Sequence, residues 1–202
     1  MNPDRPGRLE VVAGVMFSGK SEELIRRVRR ALIARRRTRV FKSHLDARYE
    51  GLQRVSSHTG ITIEAVAIDR ADEILRQVED PGEVDVVAID EAQFLDAGIV
   101  EVVTHLAERG VRVICAGTDT DFRGEPFGMM GHLMAIAEEV TKLQAICVVC
   151  GDLACRNQRI VDGAPAAWNM PVVMVGGTES YEARCRRCFV VPRLDADQVT
   201  LL

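Results

Sequence analysis

Short apolar runs alternate along this chain with segments whose apolar residues recur every three or four positions. The runs LEVVAGV (9–15), TRVFK (38–42), VDVVAID (84–90) and VRVICAG (111–117) read as buried strands, being short and rich in β-branched residues. ITIEAVAI (61–68) alternates and reads as a further strand. From Ser21 to about Arg36, Leu24, Ile25, Val28 and Leu32 fall at helical spacing. Asp69 is placed to cap a helix running to about Glu79, where DPGE stops it, and a helix over 97–109 ends at Gly110. HLDARYEGLQRVSSHTG (44–60) has no clear period and reads as a loop. After TDTDFRGEPFGMMG (118–131) the pattern predicts a short helix from about His132 to Glu139, then an apolar strand, VTKLQAI.

Strand and helix in alternation with short connections predict an α/β fold: a mostly parallel sheet with helices on both faces and right-handed crossovers. From Cys147 onward the chain is loop-rich, punctuated by Gly and Pro and bounded by cysteines. A boundary near residue 144 divides the chain into an α/β domain, 1–143, and a small cysteine-bounded domain with a C-terminal tail, 144–202.

With 47% hydrophobic and 28% charged residues, the 202-residue composition is that of a soluble globular protein. No apolar run approaches the roughly 20 residues that span a bilayer. MNPDRPGR lacks the apolar stretch of a secretory signal, so a cytoplasmic location and no membrane partner are expected. A net charge of −4 argues against dedicated binding of nucleic-acid backbones. RRVRRALIARRRTR crowds arginines locally, as a solvated helix face or as a patch that meets phosphate.

The chemistry concentrates in four places. Gly14-Val15-Met16-Phe17-Ser18-Gly19-Lys20-Ser21 follows a strand and opens a helix, the context of a phosphate-binding loop. Its backbone N–H groups cradle phosphate oxygens, Lys20 reaches the outer phosphates, and the Ser21 hydroxyl ligates Mg²⁺. In VDVVAIDEAQF, Asp90 ends a strand where a second magnesium-holding carboxylate belongs, and Glu91, pointing elsewhere, is free to take a proton. Cys147-x-x-Cys150 and Cys185-x-x-Cys188 have the spacing of a closed, structural four-thiolate zinc site. Cys115 reads as buried packing, and Cys155 stands alone. Phe122 and Phe127 sit on a loop at the carboxyl edge of the sheet, where ligands bind in open α/β folds.

GVMFSGKSEEL, DARY, SSHTG, DEAQF, DFRGEPFG, the two cysteine pairs and GGTESYEARCRRC occur in the order found in thymidine kinases of the cellular and bacterial type. The chain resembles that family from residue 9 to about 190. The resemblance implies a recombinase-like phosphate-loop core with a zinc-tied lasso, and transfer of the ATP γ-phosphate to the 5′-hydroxyl of a deoxynucleoside. It implies that Gly14 to Ser21 bind ATP, with Arg48, Asp90 and Gln93 in the same nucleotide site and Asp90 helping to hold Mg²⁺. It makes Glu91 the catalytic base. Met16, Phe94, Thr118, Phe122 and Asn157 would line the base pocket. Val172, Val173, Met174, Val175 and Gly176, with Tyr181, would meet the pyrimidine from the lasso. A homotetramer is implied, with ATP and a pyrimidine deoxynucleoside as the molecules bound, structural Zn²⁺ and ATP-bound Mg²⁺ as cofactors, and no nucleic acid.

Three positions depart from the family pattern: Thr118 stands where an apolar residue is usual, Asn157 where a threonine contacts the base, and Thr59 where an acid is common. Two touch the presumed pocket, which predicts a more polar wall and deoxyuridine competing with thymidine. DGAPAAWNMP (162–171) lies inside the lasso, where Trp168 is placed to report closure. The competing readings are a kinase of another nucleoside on the same fold, a nucleic-acid-dependent ATPase with a zinc ribbon, and a non-catalytic nucleotide-binding regulator.

Overall fold

A computed structural model of the chain describes residues 7–44, 54–56, 62–78, 80–173 and 180–193. In chain order the main elements are β1 (Arg8–Gly14), α1 (Lys20–Ile33), β2 (Thr38–Ser43), β3 (Arg54–Ser56), β4 (Thr62–Glu64), β5 (Val66–Ile68), α2 (Asp72–Gln77), β6 (Val86–Asp90), α3 (Ile99–Glu108), β7 (Arg112–Thr118), α4 (Met130–Ile136) and β8 (Glu139–Leu143). The smaller strands β9 (Ala145–Ile146), β10 (Leu153–Ala154), β11 (Arg156–Val161), β12 (Ala164–Pro165) and β13 (Ser180–Arg184) follow.

The main sheet has the order β5-β2-β6-β7-β1-β8, and every pairing in it is parallel. Period-two alternation sends alternate residues of each central strand to opposite faces. Leu9, Val11 and Ala13 of β1, Val87 and Ile89 of β6, and Val113 and Cys115 of β7 pack with α2, α3 and α4. Val12, Val86, Ala88, Ile114 and Ala116 pack on the other face against Leu24, Ile25 and Val28 of α1. Both faces are thereby covered, as near-continuous apolar strands require. The carboxyl ends of β1, β6 and β7 are left as neighbouring platforms for loops.

A carboxylate is buried within this core. Glu10, in the middle of β1, is 1% exposed and pairs with Arg27 at 2.7 Å, Arg112 at 2.6 Å and Arg8 at 2.5 Å. The arginine-rich helix therefore divides. Arg27 turns inward to Glu10, whereas Arg29 and Arg30 face solvent.

Several predicted boundaries shift. α1 stops at Ile33 rather than Arg36, because Arg35 turns left-handed at φ 55 and the Arg36 N–H bonds back to Ala31 O at 3.0 Å. The predicted strand over 61–68 breaks at Ala65, so that β4 pairs with β3 in an antiparallel hairpin while β5 joins the main sheet. The segment read as loop, 44–60, accordingly contains a strand among its described residues. Asp69 does not cap α2; Glu73 Oε1 accepts from the Asp69 and Arg70 N–H groups, and Asp96 Oδ2 accepts from Ala71 N at 3.0 Å. α4 starts two residues early, and Glu139 lies in β8, because Ala137 is already extended. No helix among the described residues is long and apolar enough to cross a membrane.

Candidate active site

The loop from Gly14 to Ser21 joins β1 to α1 and turns through left-handed backbone at Phe17 (φ 65) and Gly19 (φ 85). Gly14 is required by space as well as by its φ of 152, since a Cβ there would lie 2.5 Å from Leu143 O. Inside the turn, Lys20 is buried and its Nζ donates to Val15 O at 3.0 Å, while the Ser18 N–H donates to the same carbonyl at 3.3 Å. The loop is thus closed by its own peptide groups around the start of α1, whose N-terminal dipole favours an anion.

Asp90 ends β6, one strand removed from β1, and its Oδ2 accepts from Ser21 Oγ at 3.2 Å. A hydroxyl and a carboxylate so placed are the oxygen donors that suit a small divalent cation beside phosphate. Glu91 follows in a left-handed conformation, φ 53 and ψ 42, and opens a short 3-10 turn over Ala92–Phe94. A non-glycine residue there is sparsely populated backbone, retained where the surroundings over-determine it. The surroundings here are Gln93, which is buried. Its Nε2 donates to Glu91 Oε2 and its Oε1 accepts from the Thr118 N–H at 3.0 Å. Gly117 makes room for this amide and Gly128 for the Gln93 main chain; a Cβ on Gly128 would fall 2.2 Å from Gln93 O.

The residues predicted to line the base site fall into two sets. Phe94 packs edge-on against Phe127, ring centroids 5.4 Å apart. Phe122 is buried beneath two guanidinium groups, those of Arg123 at 5.2 Å and Arg159 at 5.1 Å. Arg159 lies opposite Tyr181 in the β11–β13 register, 5.8 Å from its ring, and donates to Pro171 O at 2.6 Å. Fully buried Arg159 therefore connects Phe122, Tyr181 and Pro171. Its place in the run RNQRIV carries no local sequence signal that would have singled it out. Arg123 donates to Met170 O at 2.6 Å, and the guanidinium groups of Arg123 and Arg193 lie 5.9 and 4.3 Å from the Trp168 ring. Met16 is half-buried on the phosphate loop, and Val172 and Val173 follow Pro171. Thr118 and Asn157 are buried; the Asn157 amide is engaged at both ends by backbone, with Met16 N and Thr120 O. Arg48, Met174, Val175 and Gly176, like Thr59, lie outside the described residues.

The two cysteine pairs converge beside Val15 of the β1–α1 loop. The sulfurs of Cys147, Cys150, Cys185 and Cys188 lie within 4.8 Å of one another. Cys150 and Cys185 stand 3.7 Å apart, close to the edge of a ZnS₄ tetrahedron, roughly 3.8 Å for Zn–S bonds near 2.3 Å. Burial would raise the Cys147 thiol, but N–H groups of Cys185, Val149 and Cys150 bring it down to about 6. Hydrogen bonding to Cys150 and Cys185 pushes Cys188 up to about 12. A cation is what lets four such sulfurs ionise together. Cys115, by contrast, is fully buried in the sheet, and burial alone raises its thiol to about 12, which leaves it inert packing.

Among solved structures, the flagellar accessory protein FlaH from Methanocaldococcus jannaschii is similar over 75% of this chain and 77% of that chain, with 13% identity and a TM-score of 0.49. The sequence profile of the thymidine kinase family matches residues 7–189, nearly the whole length described above and all four clustered cysteines. This chain belongs to the thymidine kinase family.

Proposed function

We propose that this nucleoside kinase transfers the γ-phosphate of ATP to the 5′-hydroxyl of thymidine, with deoxyuridine as a competing substrate. The observation that supports it most is Glu91, a carboxylate fixed by Gln93 immediately after Asp90, whose own oxygen meets Ser21 of the phosphate loop at 3.2 Å. That order of groups supports a role for Glu91 as the proton acceptor beside a terminal phosphate. Phosphoryl transfer asks a protein for positioning and charge neutralisation more than for covalent chemistry. Lys20 and the loop amides bind the phosphates, with Arg48 as a further cation. Ser21 and Asp90 offer the oxygens that would hold the Mg²⁺ of MgATP, whose charge offsets that of the phosphates. Glu91 takes the proton of the attacking hydroxyl, which makes the alcohol a better nucleophile.

The thymine base would lie among Met16, Phe94, Thr118 and Phe122, with the lasso backbone from Val172 to Gly176 and Tyr181 reading its polar edge. Asn157, expected in the same wall from the family pattern, has its amide spent on backbone partners and is not assigned to the base. The added hydroxyl of Thr118 is then the polar element that weakens discrimination for the thymine methyl, which an apolar pocket values at only about 1–3 kcal/mol. The resemblance to cellular and bacterial thymidine kinases supports a cytoplasmic homotetramer in which residues 144–202 act as a zinc-tied unit on the 1–143 core.

A phosphotransfer assay across the four deoxynucleosides, thymidine and deoxyuridine, with ATP and Mg²⁺, tests this reading. It predicts thymidine as the best substrate with deoxyuridine within a hundredfold in kcat/KM. A better purine deoxynucleoside would refute it, and ATP turnover driven by single-stranded DNA would point to the competing ATPase.

A further inference from the structure

One peptide plane links the phosphate loop to the cysteine-fastened segment. The carbonyl of Val15 accepts from Lys20 Nζ at 3.0 Å and from the Ser18 N–H at 3.3 Å. The N–H on the other edge of that plane belongs to Met16, and it donates to Asn157 Oδ1 at 2.8 Å. Asn157 stands on β11, is 2% exposed, and uses its Nδ2 to donate to Thr120 O at 2.8 Å. One partner is a donor and the other an acceptor, so only one orientation of the amide satisfies both. Val15 is 1% exposed and packs in one apolar cluster with Cys147, Ala154, Ala183 and Cys185. The plane is therefore gripped by apolar packing against the cysteine knuckles, by Asn157 on one edge, and by Lys20 and Ser18 on the other.

We propose that Asn157 is a positioning residue for the ATP site: it fixes the Val15–Met16 peptide, and through its carbonyl the Lys20 ammonium, so that the cysteine-fastened segment holds the phosphate loop in its binding shape. Changes at Asn157 then fall on ATP, not on the nucleoside base. The inference rests on the reading of Gly14 to Ser21 as the ATP site.

The test reads ATP binding directly, by calorimetry with Mg²⁺ and no nucleoside, alongside KM for each substrate. Asn157→Ala leaves a buried N–H and a buried carbonyl unmatched, and about a tenfold weaker ATP Kd is expected, with KM for thymidine within twofold of the parent. Asn157→Asp keeps the acceptor for Met16 but sets a carboxylate oxygen against Thr120 O. Protonation turns that oxygen into a donor and restores the amide's pattern. The ratio of the variant's ATP Kd to the parent's at the same pH is expected to fall from about tenfold at pH 8 towards one near pH 5, because a buried carboxyl takes its proton early. Melting temperature and zinc content, measured on every sample, establish that each variant is folded; should the alanine variant not fold, the pH series on the aspartate variant decides. An ATP Kd within twofold of the parent in the folded variants, or a nucleoside KM that moves while the ATP Kd does not, would overturn the proposal. A parent chain that binds ATP yet phosphorylates no deoxynucleoside would defeat the kinase reading and leave this test intact.

Discussion

Gln93 ties Glu91 to Thr118: one end of its amide donates to the Glu91 carboxylate, and the other accepts from the Thr118 N–H at 3.0 Å. The proposed base is thereby referenced to the backbone of β7, a central strand of the sheet, although it sits on a left-handed turn. A base that must meet a substrate hydroxyl within hydrogen-bond reach gains from such a fixed reference. Gln93→Ala is expected to lower kcat by about tenfold, the worth of one buried hydrogen bond. KM for ATP should stay within threefold. Steady-state kinetics with both substrates varied would check it; a change confined to KM would show that Gln93 acts on binding instead.

Gly128 sits against the same residue. Its φ of +51 and the 2.2 Å approach of a would-be Cβ to Gln93 O mean that Gly128→Ala must displace the backbone that carries the clamp. A loss of about 1–3 kcal/mol in stability is expected together with a fall in kcat. Gly163→Ala serves as the control. That glycine also has positive φ, +78, but open space around it, so its strain should lower stability with kcat unchanged. Chemical denaturation and kcat measured on both variants separate strain from displacement of the site.

The cysteine cluster fastens the segment that carries β11 and β13, and Val15 packs against it. Cys185→Ser should abolish stoichiometric zinc and lower stability by several kcal/mol, since metal binding and folding are one free energy in such sites. Metal analysis and thermal unfolding with and without a chelator would check this. A variant that melts like the parent without zinc would mean that the thiols hold the segment unaided.

Acid should act first through arginine-paired carboxylates, half-buried Glu23 and buried Glu10. Hydrogen bonds from Arg26, opposed by burial, then from Arg27 hold Glu23 down at about 2, against an unfolded value of 4.5. Glu10 is lowered too: burial raises it, but Arg112, Arg8 and Arg27 outweigh that. A group depressed on folding contributes stability above its unfolded value and loses it as pH falls through the folded one. Stability should therefore be flat from pH 7 to about 5 and decline between 4.5 and about 2. Glu23→Gln should shrink that decline. Denaturation midpoints across the range, in parent and variant, would check it; identical slopes would assign the acid sensitivity to other groups.

What was legible in the sequence shares one property: it is local in the chain. The apolar runs of β1, β6 and β7, the Gly14 to Ser21 spacing, the strand-ending Asp90 and both cysteine pairs each declare themselves within a dozen residues. What stayed hidden depends on partners distant in sequence. Glu10 looks like an interruption of an apolar strand until Arg27 and Arg112 are seen around it. Arg159 gains its meaning from Phe122, Tyr181 and Pro171. The N–H groups leading into α2 are met by Glu73 and by Asp96, 25 residues beyond Ala71, rather than by the side chain of Asp69. Asn157, read from family position as a base contact, has both ends of its amide on the loops that flank the site.

The central claim is that Glu91 serves as the base for transfer from ATP to a thymidine hydroxyl. Its most direct test compares Glu91→Gln with the parent in a single experiment that measures both thymidine phosphorylation with ATP and Mg²⁺ and ATP affinity by calorimetry. The account predicts a drop in kcat of about 10²–10⁴, the usual worth of a positioned general base, with ATP Kd within a few-fold of the parent. A variant that phosphorylates thymidine at the parent's rate would contradict it.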